Sequence, residues 1–122
     1  MSDNTIGSPP KPSGPYSPSV RRGNLVFTAG QCGYRADKTL ADGFEAQTEL
    51  ALENLRAALA VSDATLADVV TVNVFLTDPG QFEAMNVIYS EFFGDHQPAR
   101  TTVTVTLRPG VLFEINAQAV LS

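Results

Sequence analysis

The reading of this chain turns on residues 96–120, HQPARTTVTVTLRPGVLFEINAQAV. Two alternating runs flank Arg108-Pro109-Gly110, which predicts a β-hairpin or a slightly longer strand–loop–strand. In the first run Val103, Val105 and Leu107 alternate with Thr102, Thr104 and Thr106. In the second, Phe113, Ile115, Ala117 and Ala119 alternate with Glu114, Asn116 and Gln118. Each strand therefore has an apolar face and a polar one. Charge is sparse here: beyond Arg56 the only cations are Arg100 and Arg108, and beyond Asp95 the only acid is Glu114. Arg108 falls in the turn and is expected in solvent. Arg100 opens a strand just behind Pro98-Ala99, where the proline ring fixes the approaching backbone, and Glu114 leaves the polar face of the partner strand. The two groups either pair with each other on the sheet or line one pocket, the guanidinium clamping an anionic substrate and the carboxylate handling a proton.

Working outward, the second helix is expected from Gln81 or Phe82 to Phe93, with Phe82, Met85, Ile88, Tyr89, Phe92 and Phe93 on its apolar face and Gly94 stopping it. Residues 69–77 read as a β-branched strand that ends at Asp78-Pro79-Gly80, with 70, 72, 74 and 76 on a buried face. Residues 62–68 form a short turn. The first helix spans 44–62, where Leu52, Leu55 and Leu59 recur at helical spacing beside Ala51 and Ala58, while Glu45, Glu49, Glu53 and Arg56 take the wet side. That stripe is core packing. Residues 33–43 are a polar loop. Residues 19–29 predict a hairpin turning at Gly23-Asn24, and Gly30-Gln31 ends its second strand, with Gly30 allowing a close backbone or ligand approach. Residues 1–15 hold four of the eight prolines and little to bury, a flexible arm ahead of a single domain over 16–122.

Strand, strand, helix, strand, helix, strand, strand is the pattern of an α+β two-layer sandwich, a mixed sheet with two helices on one face. The other face would stay bare in a monomer and is expected to meet another copy. At 122 residues the chain suits one domain. A net charge of −5 and a pI near 4.6 argue against gripping nucleic acid through its phosphates. No apolar run reaches bilayer length, and the N-terminus lacks a signal-peptide pattern, so no membrane partner is expected and the cytoplasm is the default compartment. His96 is the only histidine, which leaves metal clusters and Ser-His triads little to build from. No phosphate-cradling Gly motif appears. The lone cysteine, Cys32, excludes an internal disulfide and reads as a small buried hydrophobe.

Five blocks in order carry a family resemblance: 14–18 (GPYSP), 23–31 (GNLVFTAGQ), 73–78 (NVFLTD), 86–93 (NVIYSEFF), and PARTTV from 98 with FEINA from 113. Together they span nearly the whole chain, which resembles the RidA (YjgF, or L-PSP endoribonuclease-like) family. The resemblance implies a chorismate-mutase-like fold assembled as a homotrimer with clefts at the subunit junctions. It also implies hydrolysis of 2-imino or enamine acids to 2-oxo acids and ammonia, without metal or cofactor. By position Arg100 would grip the substrate carboxylate, a task that suits a planar fork, and Glu114 would position the attacking water. Tyr16, Gly30, Asn86 and Thr102 would line the cleft. Thr102 stands where relatives often carry a cysteine, Asn116 replaces an acid, and the loop from Pro109 to Glu114 is one residue short. A non-catalytic trimer that binds carboxylated metabolites or acts as a chaperone is the alternative; ribonuclease activity is the third reading.

Overall fold

A computed structural model of the chain describes residues 6–122. The strands are β1 (Ser19–Arg22), β2 (Leu25–Thr28), β3 (Gln31–Cys32), β4 (Val69–Leu76), β5 (Ala99–Thr104) and β6 (Phe113–Val120), and the helices are α1 (Gly43–Val61) and α2 (Phe82–Phe93). They form one mixed sheet in the order β1-β2-β6-β4-β5, with β3 also on β6, and both helices pack on one face. Of the expected arm, residues 1–5 lie outside the described residues, and 6–12 form neither helix nor strand.

The core is the layer between sheet and helices. Val26, Val72, Val74, Leu76, Phe113, Ile115 and Ala117 from the sheet meet Leu52, Leu55, Leu59 and Met85 from the helices, all at 0–1% exposure. Burying each large side chain contributes roughly 1.5–3 kcal/mol. Gly23 at φ 58 makes the β1–β2 turn, and Gly94 at φ 63 ends α2, both left-handed positions that suit glycine.

Three readings need correction. The runs at 99–104 and 113–120 are not a hairpin: β4 lies between them, parallel to β5 (Arg100 beside Val72) and antiparallel to β6 (Glu114 beside Phe75). Alternation fixes which residues share a face but not which strand is the neighbour. The helical crossover through α2 delivers β5 parallel to β4, and the eight residues 105–112 carry the chain back past β4. In β4 itself the buried face is Val69, Val72, Val74 and Leu76, while Val70 is 46% exposed. A bulge between Val69 and Thr71 shifts the phase by one residue. Finally, β2 stops at Thr28, and Gln31–Cys32 resumes pairing as a separate strand.

The face away from the helices is uncovered. Val20, Leu25, Phe27, Val103 and Val120 are each at least 40% exposed, and register puts them on the side of Glu114 and Gln118. Between them a polar ladder runs from Thr71 to Gln118 and from Asn73 to Asn116, the latter at 2.9 Å.

Candidate functional site

The break between β2 and β3 builds the first half of the site. Phe27 pairs with Gln118 and Gln31 with Ile115, so three residues, 28–30, span two on β6, a bulge beside the site. The Thr28 hydroxyl fills in for the lost ladder bond by accepting from the Ala117 N–H at 3.0 Å. The bulge presses Gly30 against Glu114, so closely that a Cβ on Gly30 would lie 2.8 Å from Glu114 Cδ and nearer still to Oε2. The next residue out of the bulge on that face, Cys32, sits beside Glu114 in register and donates its S–H to Oε1 at 3.4 Å. Burial, then the Glu114 charge and this hydrogen bond, push the Cys32 thiol up to about 12. It is an S–H donor and not a nucleophile.

These residues floor a cavity of about 380 Å³. Two buried polar side chains of α1 hold its walls. The Gln47 amide donates to Gly110 O at 3.0 Å and accepts from Leu112 N–H at 2.9 Å, anchoring the 108–112 loop. Asn54 donates to Cys32 O and Tyr34 O, anchoring the opposite wall. Arg108 lies over the Tyr34 ring, 5.3 Å from its centroid, and donates to Ser13 Oγ at 2.9 Å. Tyr16 and residues 10–13 close the remaining side.

A second constellation lies on the other face. Arg100 shares a face with Val72, beneath α2. Its guanidinium sits 4.8 Å from the Tyr89 ring centroid and 5.6 Å from that of Phe82, with Nη1 3.9 Å from Met85 Sδ. Among the described residues no carboxylate pairs with it. Thr102 is next on that strand face and Asn86 follows Met85 on α2. Thr102 Oγ1, Asn86 Oδ1 and Tyr89 OH are all buried without hydrogen-bond partners. Each such group costs about 1–3 kcal/mol, and those of Tyr89 and Thr102 share the α2 side of the sheet with the unpaired guanidinium. Burial holds the Tyr89 phenol above its usual range, with the Arg100 charge pulling the other way.

Of the residues singled out by sequence, Tyr16, Gly30 and Glu114 meet in the cavity, while Arg100 and Thr102 share the opposite face of the sheet and Asn86 lies on α2, the helix that packs on that face. Within one chain Arg100 and Glu114 neither pair nor share a pocket, because they leave opposite faces of the sheet. Cys32, read as a buried hydrophobe, is half-buried and lines the cavity. Arg108, expected in solvent, is exposed but held against Tyr34. Gln47 and Asn54 were not singled out; polar residues at helical spacing between the leucines were their one signal.

The chain matches the model of the family described as Endoribonuclease L-PSP over residues 6–121. It is 42% identical over 113 residues to a RutC family protein of Pyrococcus abyssi, covering 90% of this chain and 89% of that one. A protein of Dermatophagoides farinae named 2-iminobutanoate/2-iminopropanoate deaminase is 37% identical over 102 residues, 82% of this chain and 80% of the relative. The crystal structure of RidA from an Antarctic Psychrobacter superposes with a TM-score of 0.89 at 34% identity, covering 98% and 100% of the two chains. A 380 Å³ cavity floored by a carboxylate thus sits in a fold and sequence shared with these proteins, and the chain belongs to the endoribonuclease L-PSP family, the RidA/YjgF group.

Proposed function

We propose that this chain hydrolyses 2-imino acids, or their enamine tautomers, to 2-oxo acids and ammonia. The observation that carries the reading is Glu114, a carboxylate pinned over Gly30 in a small cavity with Cys32 donating to one of its oxygens. The other oxygen is left to bind and orient a water. Water adds to the C=N carbon as Glu114 takes its proton. Glu114 returns that proton to nitrogen, giving a carbinolamine; the hydroxyl proton then passes to nitrogen as the C–N bond breaks, and a C=O bond forms as ammonia leaves. An imine carbon is electrophilic, so placement and one proton shuttle supply most of the chemistry.

Arg100 is the proposed clamp for the substrate carboxylate, and its position bears on assembly. A clamp on one face and a base on the other can act on one molecule only if two copies contribute. We assign a homotrimer joined through the uncovered face. The exposed Val20, Leu25, Phe27, Val103 and Val120 support this, being the apolar side chains a sheet shows when it is meant to be covered. Each junction would then bring the Arg100 half of one copy against the Glu114 half of the next.

The test is ammonia release from 2-aminoacrylate generated by a coupled dehydratase. Arg100→Ala removes a charge-assisted contact worth roughly 1.5–3 kcal/mol, a loss of about 10- to 150-fold, and Glu114→Gln removes the base. Mixing the two inactive variants restores partial activity, because some junctions then hold both intact halves. An unchanged rate in either variant removes that residue from the scheme; mixtures that stay inactive remove the shared site.

A further inference from the structure

Part of the cavity wall carries charge that imine hydrolysis as proposed does not use. Three of the chain's eight cations, Lys11, Lys38 and Arg108, line this one cavity, and Glu114 is the only acid among the lining residues. In a chain of net charge −5 that is a concentration of positive charge.

The placement of Arg108 is built, and Lys38 and Lys11 stand on constrained backbone. Arg108 is held by the Tyr34 ring and Ser13, with no carboxylate paired to it among the described residues. Stacking on a ring leaves the guanidinium edge free to meet an oxyanion. Lys38 stands at the tip of the loop closed by the Tyr34–Leu40 bridge, with a left-handed backbone at φ 70. The loop's other charges are occupied within it: Asp37 accepts from Thr39, and Arg35 donates to Thr39 and Leu40 O. Lys11 stands between Pro10 and Pro12, which limit its backbone.

We infer that this wall binds a second anionic group on the substrate, a side-chain carboxylate or phosphate, so that the chain prefers imino acids with an acidic side chain to those with small neutral ones. This rests on the imine-hydrolysis reading. There the first carboxylate goes to Arg100 and the reacting carbon to Glu114, which leaves Arg108, Lys38 and Lys11 for the far end of the molecule. A cavity of about 380 Å³ has room for such a side chain.

Two measurements on the full-length protein test it. The first is titration with 2-oxo acids as product analogues, using 2-oxobutanoate, 2-oxoglutarate and 3-phosphonooxypyruvate. The second is hydrolysis of imines made in place by amino-acid oxidase from 2-aminobutanoate and from glutamate. The acidic ligands should bind at least about tenfold more tightly than 2-oxobutanoate, the worth of one charge-assisted contact. The two acidic ligands show whether carboxylate or phosphate fits better. In Arg108→Gln and, separately, Lys38→Gln, both exposed positions, the ratio of acidic to neutral kcat/KM should fall toward one. Equal affinity for acidic and neutral ligands overturns the inference while leaving the hydrolase reading standing. So does a loss in Arg108→Gln that is the same for both substrates, since the guanidinium then holds the first carboxylate. Failure to bind or hydrolyse any member of either series overturns both.

Discussion

Gly30→Ala should separate the site from the fold. Gly30 is not among the positive-φ glycines, so what the position requires is space and not a left-handed backbone. An added methyl would lie 2.8 Å from Glu114 Cδ and 3.2 Å from Cγ, against 3.4–4 Å for ordinary contact. The obstacle is the end of a flexible side chain, so the carboxylate swings aside by about 1 Å, a misplacement that can reduce a rate about 10²-fold. Stability should hardly move. A strained rotamer costs about 0.5–1.5 kcal/mol, and exchanging Gly for Ala returns about 0.4–1 kcal/mol through the unfolded state. The net lies between about −0.5 and 1 kcal/mol, which for a chain of this size shifts Tm by no more than about 4–5 °C. The assay is steady-state ammonia release alongside a thermal melt, with Gly30→Ala repeated in a Glu114→Gln background. The double variant should lose nothing beyond Glu114→Gln alone, since both act through one carboxylate. Near-wild-type kcat/KM in Gly30→Ala would refute the reasoning, because the displaced carboxylate would then not be the reacting group.

The neighbouring glycine gives the opposite result. A Cβ on Gly33 would lie 2.5 Å from Gln47 Cα and O, both α1 backbone, so Gly33→Ala must move a helix; a loss of about 3 kcal/mol in denaturant unfolding is expected, and an unaltered midpoint refutes it. Cys32 titrates at about 12 when folded against 9.0 when free. The folded state therefore holds the proton longer, and this contribution to stability is whole below pH 9 and lost as the pH rises from 9 toward 12. Wild type should lose stability faster than Cys32→Ser between pH 9 and 11, and parallel curves would remove the shift. Phe27→Lys with Val103→Lys charges the uncovered face; sedimentation should show single chains with native far-ultraviolet dichroism, and an unchanged assembled mass argues that this face is not the interface.

How much of this was legible in the sequence depends on the range of the interaction. Both helices could be read from the 3.6-residue period and the end of α2 from Gly94, because those signals lie within a few turns. The β1–β2 hairpin followed from Gly23-Asn24 for the same reason. The partner of β5 could not be read: Thr102 and Val103 announce two faces, but only the α2 crossover decides that β4 lies alongside. The facing of β5 also misled. Val103 looked like the core side and is 40% exposed, while Arg100 and Thr102 point under α2, where Tyr89 and Phe82 receive the guanidinium. Gly30 and Glu114 stood out as a glycine at a strand end and a lone acid. The contact that holds Arg108 did not, because Tyr34 is 74 residues away in sequence. Gln47 and Asn54 were concealed by the leucines around them, since an amphipathic stripe says nothing of which polar residue turns inward to hold a loop.

The opposed facing of Arg100 and Glu114 is a matter of parity and not of side-chain freedom. Side chains on a strand alternate with period two; Arg100 is fixed beside Val72 and Glu114 beside Phe75, and Val72 and Phe75 are three residues apart on β4. No rotamer brings the pair together through a sheet. A one-residue slip of β5 would do so, but it would turn Thr101 and Val103 under α2 and lift Arg100 off Tyr89. The fold therefore holds the separation firmly. The same parity that divides the two groups puts Phe27, Val103 and Glu114 on one surface, so whatever covers the apolar side chains must also approach the carboxylate. On the proposed reading, burying that surface and completing the site are one event.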